Sequence, residues 1–190
     1  AGERGIACLP ERVGEFRDGV ALAARYAEAL DCPRLNALAG LRPAGRSDAA
    51  LLTTLVDNLR HAADVLAPAG RQVLTEPLNS RDTPGFYLDR TVPALALIAA
   101  AARPNLRLQY DIYHAQVMEG DLARTLERHL PQIGHIQLAD NPGRHEPGTG
   151  EINFSFLFRH LAGLGYTGWI GAEYVPSGAS EDSFGWLPGR

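Results

Sequence analysis

The chain has 190 residues, 45% of them hydrophobic, which is enough for one domain with a substantial core. Its net charge of −4 and pI near 5.9 leave no basic footprint for nucleic acid or an anionic membrane surface. No apolar run approaches the roughly 18–20 residues a membrane span needs, and two cysteines cannot build a disulfide framework, so Cys8 and Cys32 are expected as free thiols in a cytoplasmic protein.

The chain opens Ala1-Gly-Glu-Arg without an initiator Met and enters a helical pattern almost at once, as though it began inside a domain. From Glu11 to Leu30 the apolar positions Phe16, Val20, Ala23, Ala27 and Leu30 step by four and three, one face of an amphipathic helix. Arg34–Ala39 reads as a buried strand closed by Gly40. Ser47 or Asp48 caps a second helix with the stripe Leu52, Leu55, Val56, Leu59, Ala63 and Leu66, stopped at Pro68-Ala-Gly70. The short apolar run in Arg71–Asn79 is a strand ending on Glu76.

A long loop, residues 77–90, leads to a helix that starts at Thr91-Val-Pro93, where the missing N–H of proline is harmless, and ends at Arg103-Pro104-Asn105. Leu106–Asp111 is the next strand, expected to continue as Ile112-Tyr-His114. Gly120-Asp121 opens a helix through Leu130, and Ile133–Gln137 is a strand. Ser155 is expected to cap a helix ended by Gly165, Trp169–Glu173 is a strand, and the tail from Tyr174 shows no clear periodicity.

Helices and five strands therefore alternate, which implies a parallel sheet with right-handed crossovers. Glu76, Asp111, Gln137 and Glu173 each close a strand, at intervals of 35, 26 and 36 residues, long enough for a crossover helix each time. In a parallel sheet those ends gather on one rim, where α/β barrels place their chemistry. Carboxylate and amide oxygens converging there suit a hard divalent cation, Mg²⁺ or Mn²⁺, although any one of them could be a strand-end group bonded to a loop. A (β/α)₈ barrel typically has eight strands in about 250 residues. The chain is thus either an open doubly wound sheet or the C-terminal portion of a barrel, and the way it opens favours the second.

His114 could face the same rim, and His135 would share the face of Gln137 one layer deeper, more simply as a core histidine. The loop Asp140–Glu151 is dense in charge and turn residues: Arg144 offers a planar fork for a carboxylate, and Gly148 and Gly150 allow close backbone approach to a small ligand. Its Gly-x-Gly lacks the strand-to-helix setting of a dinucleotide fingerprint, and no serine elbow or cysteine–base pair is apparent.

The motifs Thr75-Glu-Pro-Leu-Asn79, Gln109-Tyr-Asp-Ile-Tyr-His114, His135-Ile-Gln-Leu-Ala-Asp-Asn-Pro142, Glu146-Pro-Gly-Thr-Gly-Glu-Ile-Asn153 and Gly171-Ala-Glu-Tyr174 resemble the hydroxypyruvate isomerase family, a group of xylose-isomerase-like TIM barrels. The likeness spans essentially the whole chain. It implies a single partial (β/α)₈ TIM-barrel domain over 1–190, with about five parallel strands and the first three family strands missing. It implies that Glu76 and Glu173 are the acid/base pair, that Glu76, Asp111, Gln137 and Glu173 surround a divalent metal, and that His114 binds substrate. Arg144 is a second candidate for the substrate carboxylate. Related sugar epimerases and isomerases usually carry His where this chain has Gln137, and an amide oxygen leans toward Mg²⁺ or Mn²⁺.

The expected reaction interconverts hydroxypyruvate and 2-hydroxy-3-oxopropanoate, with a small hydroxy-oxo acid as partner and a homo-oligomer left open. The rivals are a sister isomerase of a four-carbon 2-oxo acid, a metal-dependent phosphodiesterase on the same barrel, and a non-catalytic barrel fragment. If nothing supplies the absent strands, Arg34–Ala39 becomes an edge strand and activity of the chain alone is not assured.

Overall fold

The structure is a computed structural model that describes residues 3–187; Ala1, Gly2 and residues 188–190, the two ends of the domain expected over 1–190, lie outside the described residues. Five strands follow the sheet order β1-β2-β3-β4-β5, each new strand added beside the last. The chain divides into two compact units at Gln109–Tyr110.

The first unit holds α1 (Val13–Ala29), β1 (Arg34–Asn36), α2 (Asp48–Leu66), β2 (Gln72–Thr75), α3 (Thr91–Ala101) and most of β3 (Leu106–Asp111). Strands β1, β2 and β3 are parallel, with Asn36 opposite Leu74 and Thr75 opposite Leu108. Helix α2 is capped as expected, Ser47 Oγ accepting from the amide of Ala50. Its buried face, Leu51, Leu55, Val56, Leu59, Ala62, Ala63 and Leu66, keeps the stripe drawn from sequence except at Leu52, which is exposed, and adds Leu51 and Ala62 because α2 packs on both α1 and α3. Asn58 on this face is buried and donates to the carbonyl of Ala7 at 2.9 Å, tying down the segment before α1. Cys8 is buried beside it and Cys32 partly so, both as free thiols. Burial pushes the Cys8 thiol up to about 11. Strand β1 stops at Asn36, three residues short of the expected Ala39.

The second unit holds α4 (Ile112–Met118), α5 (Leu122–His129), β4 (Ile133–Leu138), α6 (Phe154–Gly163) and β5 (Ile170–Ala172). Strands β4 and β5 are parallel, with Gln137 opposite Gly171. Two local expectations are corrected here. Ile112-Tyr-His114 is the first turn of α4 and not more strand, because the Asp111 carboxylate accepts from the amides of Tyr113 (2.7 Å) and His114 (3.4 Å) and so starts a helix. Helix α6 is capped by Asn153 and not by Ser155, Asn153 Oδ1 accepting from the amide of Phe156 at 3.0 Å. An earlier start places Phe154, Leu157 and Leu161 on one buried face. The aperiodic tail is anchored: Tyr174 OH donates to the Ser183 carbonyl at 3.1 Å, and Trp186 stacks on Phe158. Among the described residues no helix is long and apolar enough to cross a membrane.

Candidate active site

All four strand-end residues stand where the apolar runs place them. Glu76 follows the last residue of β2, Asp111 ends β3, Gln137 is next to last in β4, and Glu173 follows β5. Strand β1 adds a fifth polar end, Asn36, expected from the sequence inside a longer strand.

In the first unit, Glu76 is buried and only 4% exposed. Its Oε2 accepts from Asn36 Nδ2 and from Gln109 Nε2, each at 2.7 Å. Register accounts for both bonds. Asn36 lies opposite Leu74, two residues before Glu76, while Gln109 follows Leu108, the partner of Thr75, and so stands opposite Glu76 itself. Asn79, also buried, accepts from the amide of Asp82 and donates to its side chain, closing the start of the 77–90 loop.

In the second unit, Asp111 is buried, with Oδ1 spent on the cap of α4. Its Oδ2 is shielded from solvent with no hydrogen-bond donor in reach, and His114 Nε2 stands 3.8 Å away. Desolvation raises the carboxyl to about 6, opposed by the charge of Arg144 and the Tyr113 amide and assisted by the charge of Glu173. His114 is buried in the first turn of α4, against the ring of Tyr113.

Arg144 adopts a left-handed backbone, φ 58°. Its guanidinium pairs with Glu173 Oε1 at 3.2 Å and lies over the Tyr113 ring, 5.4 Å from the centroid. Glu173 is about half exposed. Gln137 is half-buried and shares a face with His135, since a Cβ on Gly171 would meet His135 Nε2 at 3.0 Å and Gln137 Cγ at 3.4 Å. Glu173, two residues beyond Gly171, continues the same face. The unit thus brings Arg144, Glu173 and Tyr113 together, with Asp111 close enough to feel both charges.

The 140–151 loop is built on its first residue, which the sequence does not single out. Asp140 is fully buried and accepts three backbone amides, from Asn141 (2.9 Å), Gly148 (2.8 Å) and Ile152 (3.1 Å). The close approach expected of the glycines turns out to be internal. Gly148 serves Asp140, and a Cβ on Gly150 would lie 2.3 Å from the carbonyl oxygen of Asn141. Glu146 accepts from the amide and hydroxyl of Ser177, and His145 Nδ1 contacts the Val175 carbonyl at 2.7 Å, so the loop is bound to the segment after β5.

In the second unit the donor chemistry fits a hard divalent cation: Asp111 and His114 are both buried and offer an oxygen and a nitrogen ligand atom, and a shielded carboxylate oxygen without a donor is one a cation would satisfy. His114 is then a candidate ligand as well as a candidate substrate-binding residue.

Comparison with known proteins shows the family. The family model described as xylose isomerase-like TIM barrel matches residues 3–189. The chain is 51% identical over 187 residues to a hydroxypyruvate isomerase of Escherichia coli (strain K12), covering 98% of this chain and 72% of that protein. It is 44% identical to a 2-oxo-tetronate isomerase of Cupriavidus necator, again over 98% of this chain and 72% of the relative. Among solved structures, one titled AP endonuclease, family 2, from Brucella melitensis superposes with a TM-score of 0.94 at 45% identity, over 97% of this chain and 71% of that one.

Proposed function

The chain belongs to the xylose isomerase-like TIM barrel family, and on that premise we propose that it is an intramolecular isomerase interconverting hydroxypyruvate and 2-hydroxy-3-oxopropanoate. The observation that carries the reading is the 51% identity to a hydroxypyruvate isomerase across nearly the whole chain. The family match over 3–189 supports treating both units as one barrel domain.

The two compounds differ by which of two adjacent carbons bears the carbonyl. A base takes a proton from C3 of hydroxypyruvate, the electrons form the C2–C3 double bond of an enediolate, and a proton returns to C2. The proton of the C3 hydroxyl passes to the C2 oxygen, leaving an aldehyde at C3. Glu76 and Glu173 are proposed as the acid/base pair. Glu76 is held in place for such a role, because its Oε2 accepts from the NH₂ groups of both Asn36 and Gln109. Arg144, already paired with a carboxylate, is proposed to take that of the substrate. A divalent metal, Mg²⁺ or Mn²⁺, is proposed to be held by Glu76, Asp111 and Glu173 with His114 or Gln137, where it would supply Lewis-acid charge to the substrate oxygens.

The second reading is a four-carbon 2-oxo acid substrate, favoured by the 44% identity to a 2-oxo-tetronate isomerase. The name of the Brucella relative does not carry over to nucleic acid here, because a net charge of −4 disfavours association with a phosphate backbone. The test is conversion of hydroxypyruvate in D₂O with Mg²⁺ or Mn²⁺, beside the four-carbon substrate. Turnover with deuterium entering at carbon is expected, and Glu76→Gln and Glu173→Gln should each abolish it while leaving the melting transition in place. Near-normal rates in either variant would refute the assignment.

A further inference from the structure

Two amides meet on one oxygen of the buried acid. Asn36 comes from the end of β1 and Gln109 from β3, the strands on either side of β2, and both lie 2.7 Å from Glu76 Oε2. Both turn their NH₂ toward the acid, since a carboxylate only accepts. Merely satisfying a buried charge would be served as well by one donor on each oxygen. Two donors on the same oxygen, from opposite sides, do something more specific: they fix the rotation of the carboxylate about its Cγ–Cδ bond.

We propose that Asn36 and Gln109 are positioning residues for Glu76, a two-sided clamp on Oε2 that sets the plane in which this carboxylate meets substrate or metal. The proposal rests on the reading of Glu76 as an acid/base residue and adds how it is oriented. Burial favours such a clamp, since at 4% exposure Glu76 has little water to compete for Oε2. The strand register favours it too, because the ends of β1 and β3 are held at fixed distances from β2 by the sheet ladder.

The test uses Asn36→Leu and Gln109→Met, near-isosteric apolar replacements, together with Gln109→Asn, which keeps the amide but cannot span the distance. Each is expected to lower kcat about 10–100-fold with KM changed less than about threefold, and to weaken Mn²⁺ binding by a similar factor, as the loss of groups that orient ligands does. Because both amides act on one oxygen, the Asn36→Leu/Gln109→Met pair should cost much less than the product of the single effects. Gln109→Asn guards against a folding defect, since it retains polarity and most of the volume. A crystal structure of each variant should show the Glu76 carboxylate rotated from its position between the strands. An unmoved carboxylate with kcat within about twofold of the parent would overturn the clamp. If the parent itself turns over no hydroxypyruvate, the functional reading fails, while the rotation of Glu76 still decides the clamp.

Discussion

Removing the Asp140 carboxylate should unfasten the loop that presents Arg144. In Asp140→Ala the amides of Asn141, Gly148 and Ile152 lose their acceptor together. A hydrogen bond to a charged group contributes about 1.5–3 kcal/mol, and a buried donor left unpaired costs about 1–3 kcal/mol. The bonds to Asn141 and Ile152 are buried, while the Gly148 amide is partly exposed and recovers most of its loss from water. Two buried donors therefore set the scale at about 3–5 kcal/mol, with some relief as the loop relaxes. Asp140→Asn keeps one oxygen, able to hold the Asn141 and Ile152 amides, and turns an NH₂ toward Gly148, for about 1–2 kcal/mol. Urea denaturation followed by circular dichroism measures the totals, and amide exchange locates them. Residues 141–152 should lose protection in both variants, and the KM for hydroxypyruvate should rise as Arg144 loses its mount. A loss below about 1 kcal/mol in Asp140→Ala, with protection of the loop intact, would refute the view that this carboxylate builds it.

Two further expectations concern pH. The Asp111 carboxyl, raised to about 6 by desolvation, keeps its proton in the folded metal-free protein over a range, about pH 4 to 6, in which the unfolded chain has already lost it. The folded state binds more protons there, so the stability of metal-free protein should fall as pH rises through that window. Mn²⁺ affinity, which in the proposed ligand set needs the carboxylate, should rise through the same window with release of about one proton. Denaturation at several pH values and calorimetry in two buffers check this, and Asp111→Asn should flatten both trends. For Cys8, raised to about 11 by burial, the unfolded chain ionises near pH 9 while the folded thiol keeps its proton. Stability should decline between those values, and iodoacetamide at pH 8 should modify Cys8 far more slowly in the native protein than in urea. A native rate equal to the denatured one would contradict the burial argument.

The alternation of helices and strands, and the polar residue at four of the five strand ends, were legible because both follow from periodicity. Residues that close a short apolar run are conspicuous, as Glu76 and Asp111 are. Asn36 was hidden because β1 is only three residues long, and its apolar continuation through Leu38 looked like more strand. Gln109 carried a usable signal: it stands two residues before Asp111, on the same face of β3, and a polar pair at that spacing in an apolar strand points to a shared partner. That partner depends on register, which no single strand encodes. The role of Asp140 was masked by its surroundings, since in a loop so rich in charge and glycine one more acid draws no notice until its three amides are seen. The strand-to-helix junction at Asp111 was misread for a related reason. An aspartate closing a strand and an aspartate capping a helix are the same residue in sequence, and the burial of Ile112 and Tyr113 suits either element.

That double duty gives Asp111 a thermodynamic consequence. One oxygen of its carboxylate starts α4 and the other lies shielded beside His114, so helix initiation and the ligand capture proposed for Asp111 draw on the same group. Any species that binds the shielded oxygen restrains the carboxylate and with it the first turn of the helix. Conversely, fraying of that turn frees Asp111 to rotate and weakens its grip on the ligand. The amides of Tyr113 and His114 thereby become an internal gauge: their rate of exchange with solvent should slow in step with occupancy, reporting a binding event from two backbone atoms that never touch the ligand.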